Sequence, residues 1–304
     1  DVFTHAGPGA AFRAPGHPQG AFAIESALDE LARKAELDPL ELRKRHDAHP
    51  VRNKQLDVAA TAIGWHDLRA EAKKLRDAKA RVRRGVGLAA SIWGDFGRKG
   101  VVVTCSVDPA GRITIKNGVQ DIGGGIGTVM AQVAAEVFPR PVDAIDVKIG
   151  RSEYGPSTGS GGSKTTSYVT AAVRNACEEV KRQLTELAAA KLGTDAAKLT
   201  WSAQGVAARG KGKLSFVEAA KLIDADALVA TGTRAETFTG WPMKFFGQDF
   251  MQIAGVQAAE VEVDTWTGEV RCRRVVAVHD CGRVMNELTL RSQINGGVIL
   301  GTAY

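Results

Sequence analysis

Four glycine-bearing segments contain the residues whose types and spacing are suited to binding chemistry. They are 11–20 (AFRAPGHPQG), 118–128 (GVQDIGGGIGT), 155–167 (GPSTGSGGSKTTS) and 292–301 (SQINGGVILG), and each is expected to precede a helix. A helix start offers unpaired backbone N–H groups and the positive end of the helix dipole, and glycine lets an anion approach closely. Together the segments predict a site for one large anionic ligand, although a simple turn is the favoured explanation for any one of them alone.

Two familiar nucleotide-binding patterns do not fit these segments. A phosphate-binding loop, G-x-x-x-x-G-K-[ST], requires glycine directly before its lysine, but Ser163 separates Gly162 from Lys164. The dinucleotide pattern G-x-G-x-x-G, started at Gly123, requires a third glycine where the chain has Thr128. A nucleoside-triphosphate enzyme built on the third segment is therefore only a third-ranked alternative.

The other candidate side chains are one arginine, six histidines and four cysteines. Arg13 lies between Phe12 and a Pro-Gly turn, a rigid setting that can direct a guanidinium towards a ligand oxygen, with a salt bridge as its alternative role. The histidines include no HExxH motif and the cysteines no CxxC spacing, so no metal site made of protein side chains is indicated. We expect reduced, mostly buried thiols at Cys105, Cys177, Cys272 and Cys281.

Composition and charge limit the function classes. The 304 residues suffice for one large domain or two ordinary ones, and 40 basic against 34 acidic side chains give a formal charge of +6. The basic run 79–84 (KARVRR) is expected at a helix end and lacks interleaved aromatic residues, so nucleic-acid binding is not predicted. With no apolar span or signal peptide visible, we expect no membrane span and a cytoplasmic location, the periplasm being reached only through a partner's export signal.

Apolar periodicity and cap signals divide the chain into elements. A spacing close to 3.6 residues predicts a helix over 22–35, and Asp38 followed by Pro39 predicts the start of a second helix. A charged helical segment is predicted over about 67–83, and we interpret residues 50–84 as a helical connector between two domains. Because the chain begins at Asp1 in a glycine-rich loop and stops at Tyr304 after an apolar run, we expect a piece of a longer polypeptide.

Two predicted hairpins indicate an α+β fold with an internal repeat. They lie at 106–115 (SVDPAGRITI) and 262–272 (EVDTWTGEVRC), and each leads into a glycine-bearing loop before a helix. Further helices are predicted over 129–138 and 167–192, and a strand over 144–150. We therefore predict mixed sheets with helices packed on them, and two related strand-strand-helix halves in the main domain.

The glycine-bearing segments also match, in order and spacing, the motifs of one protein family. The first is similar to F-R-G/A-x-G, the second to G-x-x-x-G-Q-G-x-x-T-x-x-x-Q-x-A, and the third to a small-residue loop with A-S-x-[ST]. Residues 280–301 (DCGRVMNELTLRSQINGGVILG) are similar to D-C-G-x-x-I-N-P-x-x-[AV]-x-x-Q-x-x-G-[GA]. Over essentially its whole length the chain resembles the molybdenum-binding subunits of the xanthine dehydrogenase and aldehyde oxidoreductase family.

The resemblance implies a molybdopterin-dependent oxidoreductase whose molybdenum is held by a pyranopterin dithiolene, in bacterial members usually in a cytosine dinucleotide cofactor. It implies no protein metal ligand and places Arg13 near the molybdenum centre, where it orients or polarises substrate. Lys164 is expected to face solvent. The residues that it assigns to cofactor binding are Phe12, Arg13, Ile122, Gly123, Gly124, Gly125, Gly161, Gly162, Ser163 and Thr165.

Departures from the family motifs bear on activity. Gly124 stands where glutamine is usual, which removes one side-chain contact to the cofactor but leaves the backbone contacts. Pro15 replaces the aromatic residue of purine hydroxylases, and the resulting R-A-P-G form favours aldehydes over purines. The family's general base, a glutamate in a G-x-G-E segment, does not occur before Tyr304, so the resemblance implies that this fragment alone is inactive.

The implied function is a portion of the molybdenum subunit of a hydroxylase that oxidises aldehydes or aza-heterocycles with water as the oxygen source. On this resemblance, 1–49 is the tail of a first molybdopterin-binding domain and 85–304 is an incomplete second one. Iron–sulfur and flavin (FAD) partner subunits or domains and a dimer of the whole complex are implied. The alternative, favoured by Gly124 and the missing glutamate, is a cofactor-free, non-catalytic binding or assembly module of the same fold.

Overall fold

The computed structural model describes residues 5–7, 10–47, 49–95, 100–234, 242–245 and 248–303. Its helices and mixed sheets confirm the predicted α+β class. The described helices are α1 (His17–Lys34), α2 (Pro39–His46), α3 (Pro50–Ile63), α4 (Trp65–Asp77), α5 (Ile126–Val137), α6 (Thr165–Leu192), α7 (Phe216–Ala220) and α8 (Glu287–Ala303). The described strands are β1 (Val82–Asp95), β2 (Val102–Val107), β3 (Ile113–Asn117), β4 (Ile145–Ile149), β5 (Thr200–Ser202), β6 (Gly205–Ala208), β7 (Gly212–Leu214), β8 (Leu228–Thr233), β9 (Pro242–Phe245), β10 (Gln248–Asp264) and β11 (Val270–His279).

The chain forms two compact units. The first contains residues 1–95 and 240–304, and the second contains residues 96–239. Each unit has its own sheet and its own helices, so each is described by itself.

An antiparallel sheet organises the first unit. Strand β10 pairs with β1 on one side and with β11 on the other, and β9 pairs with the start of β10. Leu88 and Val256 from this sheet are buried in one apolar cluster with Leu56 and Ile63 of α3. The 50–84 segment, predicted as a helical connector, thus contributes α3, α4 and the start of β1, and α3 lies in the core of this unit.

A buried arginine joins the first two helices. Arg43 of α2 is 5% exposed and forms ion pairs with Glu25 and Asp29 of α1, both at 2.7 Å. Asp38 caps α2 as predicted, and its carboxylate also accepts a hydrogen bond from the Trp65 indole. Because losing one partner of a buried ion pair costs about 3–5 kcal/mol, the buried Arg43–Glu25 pair fixes α1 against α2, while the more exposed Asp29 contributes less.

The basic run at 79–84 does not lie at a helix end, so this prediction is wrong. Lys79 has a left-handed backbone (φ 52°) beyond the end of α4, and β1 begins at Val82. Arg81 forms an ion pair with Asp264 of β10 at 2.7 Å. Pairing with the neighbouring strand has taken the place of the expected helix-dipole interaction.

A four-stranded sheet covered by two helices forms the centre of the second unit. The strand order is β4-β3-β2-β8; β3 is parallel to β4, while β2 is antiparallel to both β3 and β8. Burial alternates along β2, so Val103, Cys105 and Val107 are buried on the side where α6 packs. Helix α5 packs against α6 and β4, which places the starts of both helices next to the ends of the strands.

The backbones of α6 and β8 approach closely at Gly232. A Cβ atom added at Gly232 would lie 2.2 Å from the carbonyl oxygen of Ala172 and 2.3 Å from the nitrogen of Ala176. Both alanines are fully buried in α6. Only glycine allows this approach, which sets the distance of α6 from the sheet.

Most predicted elements are confirmed. Both hairpins form, as β2-β3 and β10-β11, and each is followed by a helix, α5 and α8 respectively, although the two hairpins belong to different sheets. The small sheet β5-β6-β7 was not predicted.

Two of the four thiols, Cys105 and Cys177, are buried, whereas Cys272 and Cys281 are exposed. Across the described residues, no helix combines the length and apolar character that a bilayer crossing requires.

Replacing Gly232 by alanine is expected to destabilise the second unit. The new methyl group would overlap two backbone atoms of α6, and overpacking of this kind costs about 1–3 kcal/mol. Gly87→Ala is the control, because its Cβ would meet nothing within 4 Å and strand glycines are themselves unfavourable by about 0.5–1 kcal/mol. Thermal unfolding of the full-length protein should show a lower Tm for Gly232→Ala alone; equal Tm values would contradict the packing argument.

Candidate functional site

The second glycine-bearing segment forms a turn that is closed by its own aspartate. Asp121 Oδ1 accepts hydrogen bonds from the N–H groups of Gly123 (2.9 Å) and Gly125 (3.1 Å). These two glycines have φ values of 96° and 72°, which other residues rarely adopt. Gly124 has no such restriction, and an added Cβ there would meet nothing within 4 Å. Ile122 is 73% exposed, so the tip of this turn is open.

The third segment leads directly into the long helix α6. Gly162 and Ser163 have φ values of 64° and 60°, so even the serine adopts the left-handed conformation. Lys164 is the N-cap residue and makes no side-chain capping hydrogen bond; it is half-buried, so it faces solvent only in part. Thr165 is the first residue of the helix.

One buried asparagine holds the bases of these two loops together. Asn117, at the end of β3, is 0% exposed. Its Nδ2 donates to the carbonyl oxygens of Val102 (2.8 Å) and Pro156 (3.3 Å), and its Oδ1 accepts from the N–H of Val119 (3.0 Å). The side chain therefore links β2 to the backbone of both loops.

Further hydrogen bonds join the loops above this base. The N–H of Gly118 donates to the carbonyl oxygen of Gly155 (3.2 Å). Ser160 Oγ donates to the Gln120 carbonyl (2.6 Å), and the Ser160 N–H donates to Gln120 Oε1 (3.3 Å). The two glycine loops consequently form one continuous surface of the second unit, which we call the glycine cradle (residues 118–125 and 155–165).

The glycine cradle fits an anionic group that is bound mainly by backbone N–H groups. Helices α5 and α6 both begin in it, and neither N-cap residue caps its helix with a side chain, so the cradle contains two positive dipole ends. Ser157 Oγ is buried without a hydrogen-bond partner among the described atoms, as expected of a group that awaits a ligand. The cradle is also open, because added Cβ atoms would meet nothing within 4 Å at Gly123, Gly124, Gly159, Gly161 and Gly162.

Arg13 and Phe12 lie in the first unit, in the turn that precedes α1. Phe12 is 86% exposed, and Arg13 is exposed and pairs with no carboxylate among the described residues. Ala14 has a φ of 48°, and Gly16 at the N-cap has a φ of 78°. A left-handed alanine costs roughly 1–2 kcal/mol, and strain of this kind is often found at functional sites.

The fourth glycine-bearing segment is not a loop, so the prediction that 292–301 precedes a helix is wrong. The whole segment lies inside α8. The helix starts earlier because Asn286 is its N-cap: the Asn286 Oδ1 accepts a hydrogen bond from the N–H of Thr289 (3.0 Å). This cap was not predicted from the sequence. Gly296 of this helix lies beside the Arg13 side chain, since an added Cβ would lie 3.4 Å from Arg13 Nη1.

The Asp-Cys-Gly turn before α8 is shaped by its aspartate. Asp280 donates its N–H to the Ala254 carbonyl (2.8 Å), and its Oδ1 accepts the Gly282 N–H (3.1 Å). Partial burial raises the pKa of the Cys281 thiol, and the charge of Asp280 raises it further. Burial also lowers the pKa of the neighbouring His279. These shifts of the two pKa values favour the neutral thiol and the neutral imidazole.

The predicted site residues fall into two groups. The glycine cradle brings together Ile122, Gly123, Gly124, Gly125, Gly161, Gly162, Ser163 and Thr165, while Phe12 and Arg13 lie in the first unit. Sequence reasoning missed Asn117, Gln120 and Ser160, although the Asn-Gly pair at the end of β3 was a signal for the first of them. Within the described part of the chain, no cluster of three or more His, Cys, Asp or Glu residues is arranged to hold a metal ion.

Known proteins and family models match nearly the whole length of the chain. Two family models, each described as a molybdopterin cofactor-binding domain, match residues 1–46 and 58–304. The aldehyde oxidoreductase molybdenum-binding subunit PaoC of Escherichia coli K12 is 32% identical over 96% of this chain and 39% of its own length. A probable xanthine dehydrogenase subunit of Bacillus subtilis is 30% identical over 100% of this chain and 42% of its own length. The chain thus spans about two fifths of the curated relatives that it matches.

Solved structures share the fold. The reconstituted CO dehydrogenase from Oligotropha carboxidovorans superposes with a TM-score of 0.79 at 22% identity, over 92% of this chain and 39% of that one. Quinoline 2-oxidoreductase from Pseudomonas putida 86 gives a TM-score of 0.77 at 20% identity, over 92% and 39% of the two chains. Because the family models match most of its residues, the chain belongs to the molybdopterin cofactor-binding domain family of molybdenum-binding oxidoreductase subunits.

Proposed function

We propose that the glycine cradle binds the phosphate-containing part of a molybdopterin cofactor, in its cytosine dinucleotide form. The supporting observation is that two open glycine loops, joined by hydrogen bonds, both lead into helix starts without side-chain caps. Backbone N–H groups there suit phosphate oxygens, and the hydroxyls of Ser163 and Thr165 add donors. When bound, the cofactor supplies molybdenum redox chemistry. The proposed contacts are Phe12, Arg13, Ile122, Gly123, Gly124, Gly125, Gly161, Gly162, Ser163 and Thr165.

For the whole protein we propose oxidation of small aldehydes or aza-heterocycles, with water as the oxygen source. The names of the relatives support this class, and the R-A-P-G sequence around Arg13 favours aldehydes. Arg13 has five N–H donors in a fixed planar fork, so it is suited to orient a substrate oxygen. The strained Ala14 and the glycine N-cap at Gly16 restrict the backbone that carries this side chain.

The rest of the activity is proposed to depend on parts outside these 304 residues. We propose that a glutamate there acts as the general base, and that iron–sulfur and flavin partners, in a dimeric complex, accept the electrons. In this proposal residues 1–49 belong to a first cofactor-binding domain and residues 85–304 belong to a second one. Residues 50–84 form a helical connector between the two domains. A cofactor-free assembly module is the second candidate, and Gly124 in place of glutamine is the observation that favours it.

Cofactor analysis of the full-length protein separates these two candidates. After expression in a host that makes the cofactor, the enzyme hypothesis predicts stoichiometric molybdenum and an equal amount of cytosine nucleotide released by acid. The same protein from a host without the cofactor pathway is the control. A folded full-length protein with neither molybdenum nor nucleotide would establish the assembly module instead.

Alanine at Gly125 is expected to reduce cofactor content, whereas alanine at Gly124 is not. Gly125 needs a φ of 72°, so alanine would cost roughly 1–2 kcal/mol or move the loop. Gly124 has neither a left-handed backbone nor a neighbour within 4 Å of an added Cβ, which makes it a matched control. Molybdenum and nucleotide content per folded protein would be measured, and equal content in both variants would argue against backbone binding at this loop.

Arg13→Ala is expected to lower kcat/KM by roughly 10²-fold while the molybdenum content stays unchanged. The variant loses a charged hydrogen-bond donor, and such donors at a reacting centre contribute about this much. Arg33→Ala provides the control, because Arg33 is an exposed arginine in the last turn of the same helix that Arg13 precedes. Steady-state kinetics with an aldehyde would test this role, and unchanged kinetics for Arg13→Ala would exclude it.

A further inference from the structure

The carboxylate of Asp121 already occupies two of the amide donors in the glycine cradle. Its Oδ1 accepts the N–H groups of Gly123 (2.9 Å) and Gly125 (3.1 Å), and the residue is exposed. A negative oxygen thus lies at the N-terminal end of α5, where the helix dipole favours an anion. Two of the glycines assigned to cofactor contact therefore have N–H groups that already bind an oxygen of this chain.

From this geometry we infer that Asp121 is a positioning residue with two opposing effects on cofactor binding. Its Oδ1 holds residues 121–125 in the cradle conformation, and its negative charge lowers the affinity of the cradle for phosphate oxygens. The N–H groups of Ile126, Gly127 and Thr128 in the first turn of α5 have no partner within the helix. Together with the N–H of Gly124, they are the donors that we assign to phosphate at this loop. This inference rests on the proposed cofactor-binding function.

The two effects can be separated by substitution. Asp121→Asn keeps an Oδ1 acceptor for both glycine N–H groups but removes the charge. Asp121→Ala removes the acceptor as well, so residues 121–125 lose the bond that holds their left-handed glycines in place. A unit charge a few ångströms from a bound anion in a solvated loop changes affinity by about threefold to tenfold.

A matched control exists at the other end of α6. Asp195 is also exposed, and its Oδ1 also accepts a backbone N–H, that of Ala197 (2.8 Å). It follows the C-terminal end of α6, a 28-residue helix that is about 42 Å long at 1.5 Å per residue. Asp195→Asn therefore makes the same charge change far from the start of α6.

The experiment uses the full-length protein purified without cofactor, with inorganic pyrophosphate as the probe. Calorimetry should show about threefold to tenfold tighter pyrophosphate binding for Asp121→Asn than for the wild type, and no change for Asp195→Asn. Amide hydrogen exchange in the peptide 119–128 should be unchanged in Asp121→Asn and clearly faster in Asp121→Ala. This second measurement needs neither cofactor nor turnover.

Each measurement tests one of the two effects proposed for Asp121. Equal pyrophosphate affinity in Asp121→Asn and the wild type would overturn the charge effect, and unchanged exchange in Asp121→Ala would overturn the positioning effect. If no variant binds pyrophosphate, the proposed anion-binding function of the cradle fails together with the charge effect. Faster exchange in Asp121→Ala would still establish positioning in that case, so the two failures are distinguishable.

Discussion

The buried side chain of Asn117 is the constraint on which the arrangement of the candidate site depends. Its amide is completely enclosed, yet donates to the carbonyl groups of Val102 and Pro156 and accepts from the N–H of Val119. An unpaired buried polar group costs about 1–3 kcal/mol, so this amide and its partners must stay together. No other residue type of this size has two donors and an acceptor in the same plane.

The position of α6 is set by a second constraint, a close contact between backbones. Gly232 brings β8 against Ala172 and Ala176, which sets the depth of the helix on the sheet. The start of α6 is then fixed at one side of the cradle, and α5, which packs on α6, fixes the other. The cradle thus has a rigid, buried base and an open tip. Rigidity below and openness above are what a preorganised site for a large anion requires.

The sequence predicts those features that depend on local chemistry. Turn residues and alternation indicate both hairpins, the Asp38 cap indicates α2, and the glycine-bearing segments indicate the loops at 118–125 and 155–165. The segment 292–301 is misassigned because its glycines lie inside α8, and the helix start is marked instead by the cap at Asn286. Likewise, the bond between Ser160 and Gln120 spans 40 residues, and no local pattern signals it.

The backbone conformation of the glycine cradle does not depend on the side chain at position 124. The turn requires left-handed backbone conformations at Gly123 and Gly125, and glycine adopts these conformations most easily. Gly124 between them is under no such constraint, and a longer side chain would project into open space. The shape of the loop therefore comes from its two outer glycines and the Asp121 carboxylate, and the side chain at position 124 is an addition to it. A change of side chain at position 124 therefore leaves the backbone donors of this loop where they are.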